Sequence, residues 1–175
     1  MSVLPDHQLI EDLSVELGVD PSFIEKDVYA TYLIDLLSNL QHEDVSLVFS
    51  GGTCLSKGHK LIQRFSEDVD FKIVPQRALS RPKKRELREA ILSIIARNDM
   101  WEIVEESIKS EDGSNKFQCM IRYPRQFEKH SALRPELKLE VIFTELSLPT
   151  QQKRIQSLLD EALKLDTGID VLCVN

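Results

Sequence analysis

The residues of this chain that are best suited to chemistry include two aspartates, Asp68 and Asp70, separated by one residue. On a β-strand this spacing places both side chains on one face of the sheet. Two neighbouring carboxylates repel each other unless a cation lies between them, and a hard divalent ion supplies that charge. The pair therefore predicts a metal site, with Mg²⁺ as the expected ion and Mn²⁺ as the alternative.

A glycine pair precedes the aspartates and directly follows the apolar run Val45–Ser50. Such a run entering a glycine turn is typical of a buried strand that leads into a helix. Backbone N–H groups at this kind of turn approach a phosphate closely, and the dipole of the following helix favours the negative charge. Hydroxyl and cationic side chains nearby would add donors. The residues predicted to bind nucleotide phosphates are Ser50, Gly51, Gly52, Thr53, Ser56, Lys57 and Arg64.

A third carboxylate, Glu140, lies in the alternating run Leu137–Phe143, which has the two-residue period of a half-buried strand. Together with Asp68 and Asp70 it would complete a two-metal arrangement that activates an attacking hydroxyl and stabilises a leaving pyrophosphate. These three carboxylates are the predicted catalytic residues and the predicted metal ligands. Each feature alone is more often a turn or a solvated strand face, but their order along the chain favours nucleotidyl transfer.

Hydrophobic periodicity predicts the elements that position these residues. Helices are expected over 7–17, from Asp20-Pro21 to about Leu40, over 53–62, from Pro82 onward, and over about 151–164 with Thr150 as its N-cap. Strands are expected over Val45–Ser50, around 68–73, over Trp101–Ile108 and Lys116–Tyr123 as a hairpin, over Leu137–Phe143, and over 169–174. We therefore predict an α+β fold in one compact domain, with an N-terminal helical segment, 1–42, before a core, 43–175.

Composition restricts the classes of function. The chain has 175 residues, 42% hydrophobic and 29% charged, which is ordinary for a globular protein. The net charge of −7 argues against broad, nonspecific nucleic-acid binding. Two basic segments, Arg81–Arg88 and Arg122–Arg134, are candidates for local backbone contacts with RNA, although such segments are more often solvated faces.

The chain contains no apolar segment approaching about 18 residues, so no membrane span is predicted. Its three cysteines, Cys54, Cys119 and Cys173, are scattered and lack metal-ligand spacing. They predict reduced thiols in a cytoplasmic protein rather than disulfides or a zinc site.

Four segments resemble a known protein family. The order Phe-Ser-Gly-Gly-Thr-x-Leu-Ser-Lys at 49–57, followed by Arg-Phe-Ser-Glu-Asp-Val-Asp-Phe at 64–71, resembles the AbiEii toxin family. That family belongs to the DNA polymerase β-like nucleotidyltransferase superfamily. The charged group Glu25-Lys26-Asp27, which composition alone favours as a solvated helix face, resembles a motif on an N-terminal helix of this branch. Leu137–Val141 resembles the strand that carries the third acidic residue.

The resemblance implies a nucleotidyltransferase-like mixed β-sheet flanked by helices and Mg²⁺-dependent use of an NTP. It further implies transfer of a nucleoside monophosphate to an acceptor, with RNA and in particular tRNA expected. The protein would be the toxin of a type IV toxin–antitoxin or phage-defence system, with a cognate antitoxin as its partner. Family members continue into a helical C-terminal domain, so the resemblance also implies a nucleotidyltransferase core without that domain.

Two alternatives remain open at the level of sequence. The same chemistry serves a small-molecule or protein acceptor, because acceptor choice depends on the shape of a pocket. The chain is alternatively an NTP-binding or interaction module that carries out no chemistry.

Overall fold

The structure is a computed structural model that describes residues 4–61, 66–111, 115–145 and 149–174. The predicted phosphate-binding residue Arg64 and the centre of the predicted hairpin turn, 112–114, lie outside the described residues.

The helices begin and end at residues with recognisable capping chemistry. Asp6 and Asp20 accept hydrogen bonds from the first turns of the first two helices, and Gly18 ends the first in a left-handed conformation with φ of 65°. The helices are α1 (His7–Leu17), α2 (Pro21–Ser38), α3 (Gly51–Thr53), α4 (Arg81–Ala96) and α5 (Leu158–Ala162), and α3 continues into a π-helical turn, Cys54–Gly58.

Within the described ranges, seven strands form one sheet in the order β3-β4-β5-β2-β1-β7-β6. The strands are β1 (Val45–Ser50), β2 (Asp68–Pro75), β3 (Glu102–Glu111), β4 (Lys116–Arg122), β5 (Leu137–Phe143), β6 (Thr150–Ile155) and β7 (Ile169–Val174). The pairs β2–β5 and β1–β7 are parallel, whereas the other pairs are antiparallel. The predicted α+β fold with a mixed, helix-flanked sheet is confirmed.

Two predicted helices differ from the structure. The helix expected over 151–164 is wrong in its first half, because Thr150–Ile155 pairs with β7 as an edge strand and the short α5 begins later, with Ser157 as its N-cap. Pairing with a neighbouring strand overrides local helix propensity in this polar segment. The helix expected over 53–62 begins earlier, at Gly51, and its π-helical turn ends at Gly58.

Helix α2 packs on the sheet and shares its hydrophobic core. Tyr29, Leu33 and Leu37 of α2 are buried in one cluster with Phe49 of β1 and Phe71 of β2. The boundary between an N-terminal segment and a core at residues 42 and 43 stays a prediction. The three cysteines are buried and free in the structure. In the described parts of the chain, no helix is both long enough and apolar enough to cross a membrane.

Candidate active site

The pairing of three strands brings the predicted carboxylates together. Asp70 is in register with Ser50 of β1 on one side and with Glu140 of β5 on the other. Cross-strand partners share a face of the sheet and lie about 5 Å apart at Cβ. Along β2, Val69 is buried while Asp68 and Asp70 are partly exposed, so both carboxylates point away from the core. The common face predicted for Asp68 and Asp70 is confirmed.

The glycine turn contacts the central carboxylate directly. Gly51 has φ of 73°, a conformation that favours glycine. A Cβ atom added at Gly51 would lie 1.9 Å from Oδ2 of Asp70, so any other residue here would have to displace the Asp70 side chain. The backbone of the predicted phosphate turn therefore lies against the predicted metal ligand, and only glycine permits this approach.

Hydroxyl groups tie the turn to β2. The Ser50 hydroxyl donates to the carbonyl oxygen of Asp70 at 3.3 Å, and the Thr53 hydroxyl donates to the carbonyl oxygen of Asp68. The Ser56 hydroxyl donates to the Thr53 carbonyl oxygen at 3.1 Å. Because these protons already bind carbonyl groups, the three side chains position the turn in this structure. Their contact with phosphate, like that of Gly52, stays a prediction.

Lys57 is engaged elsewhere in the fold. Its ammonium group lies 2.6 Å from a carboxylate oxygen of Asp27 in α2 and donates to the carbonyl oxygen of Gln156 at 3.1 Å. Both side chains of this ion pair are largely buried. Lys57 thus joins the segment after the turn to α2 and to the segment before α5, and its predicted phosphate contact remains untested.

The outer carboxylates of the site are paired with cations. Asp68 Oδ1 lies 2.7 Å from Nη2 of Arg134, and Glu140 Oε2 lies 3.0 Å and 3.2 Å from the ammonium groups of Lys116 and Lys138. Partial burial acts to raise the pKa of Glu140, but hydrogen bonds from the two lysines outweigh it and lower the pKa. Glu140 therefore stays ionised at neutral pH.

Asp70, in the centre, differs from its neighbours. Burial, followed by the negative charges of Asp68 and Glu140, raises the pKa of Asp70 to about 6. Within the four described ranges, no ion pair involves Asp70. At neutral pH the ionised Asp70 thus has no ion-pair partner of its own among the described residues, although the charges of Lys138 and Lys116 act on it from a distance. A bound cation would relieve the repulsion among the three carboxylates.

The side chains present fit a magnesium ion through two carboxylates rather than three. Among the described residues, no three His, Cys, Asp or Glu side chains are placed to bind one metal ion together. Mg²⁺ commonly takes one or two protein carboxylates and completes its shell with water and substrate phosphates. Asp68 and Asp70 supply two such carboxylates, and their role as metal ligands stays a prediction. Glu140 as a third ligand also stays a prediction: lysines hold one of its oxygens, as Arg134 holds one oxygen of Asp68.

A cavity of about 490 Å³ opens at this face of the sheet. Its size lies within the range of small-molecule sites in proteins, about 300–1,000 Å³. The lining combines the turn and the carboxylates with an apolar wall: Ser50, Gly51, Cys54, Leu55, His59, Leu61, Asp70, Lys72, Glu140, Ile142 and Val174. The predicted catalytic groups Asp70 and Glu140 thus face a space that accepts a ligand of moderate size.

The interpretation of Glu25-Lys26-Asp27 as a solvated helix face is wrong. Glu25 is buried and accepts hydrogen bonds from the backbone N–H groups of Gln126 and Phe127. Lys26 is also buried, and Asp27 binds the backbone N–H of Leu158 as well as Lys57. Each side chain thus holds a different distant segment.

Sequence reasoning did not identify Arg134, Lys116 or Lys138 as individual site residues. One signal was available for the α2 motif: three consecutive charges between Ile24 and Val28 cannot all avoid the apolar face of a helix. The cations carry no comparable signal, because only strand pairing and loop placement bring them to the carboxylates.

A family model described as "Nucleotidyl transferase AbiEii toxin, Type IV TA system" matches residues 35–175. The chain belongs to the AbiEii family. The matched range contains the glycine turn, the Asp-x-Asp pair and Glu140, so all the groups around the cavity lie in the part of this AbiEii protein that defines the family. No curated protein sequence matches the chain.

One solved structure shows a similar fold. The nucleotidyltransferase toxin MenT4 from Mycobacterium tuberculosis H37Rv is 23% identical, with a TM-score of 0.59, and the match covers 97% of this chain and 55% of MenT4. The AbiEii chain thus spans about half the length of that relative. Two Leishmania infantum polymerase β complexes are more distant. The ternary gap complex is 16% identical, with a TM-score of 0.41, and the match covers 71% of this chain and 38% of the polymerase. The ternary P/T complex is 15% identical, with a TM-score of 0.39, and the match covers 83% of this chain and 51% of the polymerase.

Proposed function

We propose that this AbiEii protein is a Mg²⁺-dependent nucleotidyltransferase that transfers a nucleoside monophosphate from an NTP to RNA, with tRNA as the expected acceptor. In this proposal it acts in the cytoplasm as the toxin of a type IV toxin–antitoxin or phage-defence system and is neutralised by a cognate antitoxin. Family membership supports the toxin role. The contact between the Gly51 backbone and Asp70, beside Glu140 at one cavity, is the observation that carries the chemistry.

In this proposal the carboxylates and the glycine turn have separate roles. Asp68 and Asp70 would hold Mg²⁺, which supplies charge neutralisation for the triphosphate and the leaving pyrophosphate. The N–H groups of the turn at Gly51 and Gly52 would bind phosphate oxygens. An acceptor hydroxyl would release its proton to solvent and form the new bond to the α-phosphorus as the bond to pyrophosphate breaks.

The apolar wall of the cavity also supports nucleotidyl transfer. Leu55, Ile142 and Val174 line the cavity next to Asp70 and Glu140. Apolar side chains reduce the access of water to the reacting phosphate, and this strengthens the interaction of the carboxylates with a cation.

Incubation with each labelled NTP, Mg²⁺ and total tRNA tests this proposal. We expect labelled RNA with the wild-type protein and a loss of at least a hundredfold in Asp68→Asn and Asp70→Asn, because the metal ligands are removed. Asp166→Asn is the matched control, since Asp166 is 96% exposed and lies outside the site. Label on a protein or small molecule instead of RNA would replace the proposed acceptor.

Growth inhibition in a bacterial host separates an enzyme from a binding module. We expect expression of the wild-type protein to arrest growth and Asp68→Ala to abolish the arrest. A binding module without chemistry would keep its growth effect in Asp68→Ala and would show no labelled product with any NTP.

A further inference from the structure

Arg134 is placed on the outer carboxylate of the candidate active site by an ion pair. Its guanidinium Nη2 lies 2.7 Å from Oδ1 of Asp68, and its side chain is 43% exposed. Asp68 is one of the two carboxylates that fit a magnesium ion. A cation and Arg134 therefore cannot both occupy this oxygen of Asp68.

The main chain of Arg134 is held by contacts other than the one with Asp68, and Nε of its side chain also lies 3.9 Å from Oε2 of Glu67. The backbone N–H donates to Oε2 of Glu67 at 2.7 Å, and the carbonyl oxygen accepts a hydrogen bond from Nζ of Lys26 at 2.6 Å. Lys26 and Glu67 also form an ion pair at 2.6 Å, with exposed fractions of 4% and 19%. One largely buried ion pair thus holds both main-chain polar groups of Arg134.

This arrangement allows the guanidinium of Arg134 to change partners while its main chain stays in place. A buried ion pair is expensive to desolvate and is weak evidence for stability, so its effect here is to specify a position. Between partly exposed groups, the Arg134–Asp68 contact itself adds little to stability. Its location beside the metal ligands, rather than its strength, distinguishes it from an ordinary surface pair.

We propose that Arg134 is an exchangeable phosphate-binding residue, an inference that rests on the proposed function. It neutralises Asp68 while no divalent cation is bound there. When a cation takes Asp68, the guanidinium is repelled and turns to the triphosphate brought with the metal. The planar fork of an arginine suits phosphate oxygens, and the fixed main chain keeps it within reach. Lys26 and Glu67 are positioning residues for this exchange.

Arg134→Ala should shift two affinities in opposite directions. We expect Mn²⁺ alone, followed by electron paramagnetic resonance, to bind about two- to fivefold more tightly, since a competing charge is removed. We expect inorganic tripolyphosphate in the presence of Mg²⁺, followed by calorimetry, to bind about tenfold more weakly, since a charge-assisted hydrogen bond is lost. Arg134→Lys keeps the charge without the fork and should give intermediate values.

Arg154→Ala is the matched control, because Arg154 forms a 2.7 Å contact with Asp166, is 50% exposed and lies on the edge strand β6. It should change neither affinity. The main-chain contacts of Arg134 survive in Arg134→Ala, so the variant should fold, and thermal unfolding checks this. Arg134→Gln, which also keeps them, provides a second variant with the same two expectations.

The outcomes separate the inference from the proposed function. Unchanged tripolyphosphate affinity in Arg134→Ala, or Mn²⁺ binding that is unchanged or weaker, overturns the exchange. Equal Mn²⁺ affinity in the wild type and in Asp68→Asn overturns the metal site and with it the proposed function. If Asp68→Asn weakens Mn²⁺ binding while Arg134→Ala behaves like the wild type, the inference alone is overturned.

Discussion

At the scale of single residues, Gly51 is restricted both by its backbone conformation and by its neighbour Asp70. Its positive φ strains any other residue by about 1 kcal/mol, and a Cβ would also collide with the Asp70 carboxylate. We expect Gly51→Ala to displace Asp70 and to weaken Mg²⁺-dependent tripolyphosphate binding by about tenfold or more, measured by calorimetry.

Gly18→Ala separates the two effects of a glycine substitution. Gly18 has a similar φ of 65°, but a Cβ there meets no atom within 4 Å. This variant should lose a similar amount of stability from backbone strain and keep its ligand affinity. Equal ligand affinities in the two variants would contradict the close approach at Gly51.

The raised pKa of Asp70 predicts a stability that depends on pH. Burial and the neighbouring carboxylates raise the folded-state pKa to about 6, from an ordinary value of 3.8. The folded state therefore binds this proton more tightly than the unfolded state does. The corresponding stability is fully present below about pH 4 and is lost as the pH rises through 6.

Asp70→Asn removes this penalty in the metal-free protein. With a chelator present at pH 8, we expect the variant to be about 1–3 kcal/mol more stable than the wild type by urea denaturation. At pH 4 the advantage should largely disappear, because Asp70 is then protonated in the folded state and close to half protonated in the unfolded state. A constant difference across this pH range would show that Asp70 is not the group responsible.

At the scale of elements, the buried Lys26–Glu67 pair joins α2 to the start of β2 and to the loop that carries Arg134. Lys26→Met leaves the Glu67 carboxylate without its buried partner. We expect a loss of about 2–4 kcal/mol in the free energy of unfolding, measured with urea, at the lower end because Glu67 is partly exposed.

Lys60→Met is a matched control for the loss of a lysine. Lys60 pairs with Glu161 at 2.9 Å, but its side chain is 70% exposed. Exposed pairs contribute about 0–1 kcal/mol, so this variant should remain close to the wild type. A similar loss in both variants would show that burial of the Lys26 pair is unimportant.

Elements were predictable where a periodic apolar pattern coincided with a capping or turn residue. Helix α2 follows the N-cap Asp20, and β1 ends where the glycine turn begins. The segment Thr150–Ile155 lacks such a signal, because an edge strand leaves polar side chains in solvent and takes its stability from pairing with β7. That pairing partner lies in a distant part of the chain.

At the scale of the whole molecule, a bound ligand should stabilise the fold by mass action. At a concentration of Mg²⁺ and tripolyphosphate about a hundredfold above Kd, the gain is about 2.7 kcal/mol. For a domain of this size, this corresponds to an increase in Tm of roughly 5–10 °C by differential scanning calorimetry. The double variant Asp68→Asn/Asp70→Asn should show no such increase, and removal of Mg²⁺ with a chelator should reverse it in the wild type.

The sequence by itself determined the chemistry that is available and the order in which it occurs. The glycine turn, the Asp-x-Asp pair and the common face of Asp68 and Asp70 follow from short-range rules, since neighbouring residues on a strand alternate between faces. The same short sequence motifs were sufficient to identify the AbiEii family, which the match over residues 35–175 confirms.

Only the tertiary structure decided which distant groups meet these residues. Strand register sets Glu140 beside Asp70, and it also brings Lys116 and Lys138 to Glu140. The partners Arg134 for Asp68 and Asp27 for Lys57 lie 66 and 30 positions away along the chain. A local pattern cannot specify such contacts, because charged side chains pair with whatever the packing of the backbone places within reach.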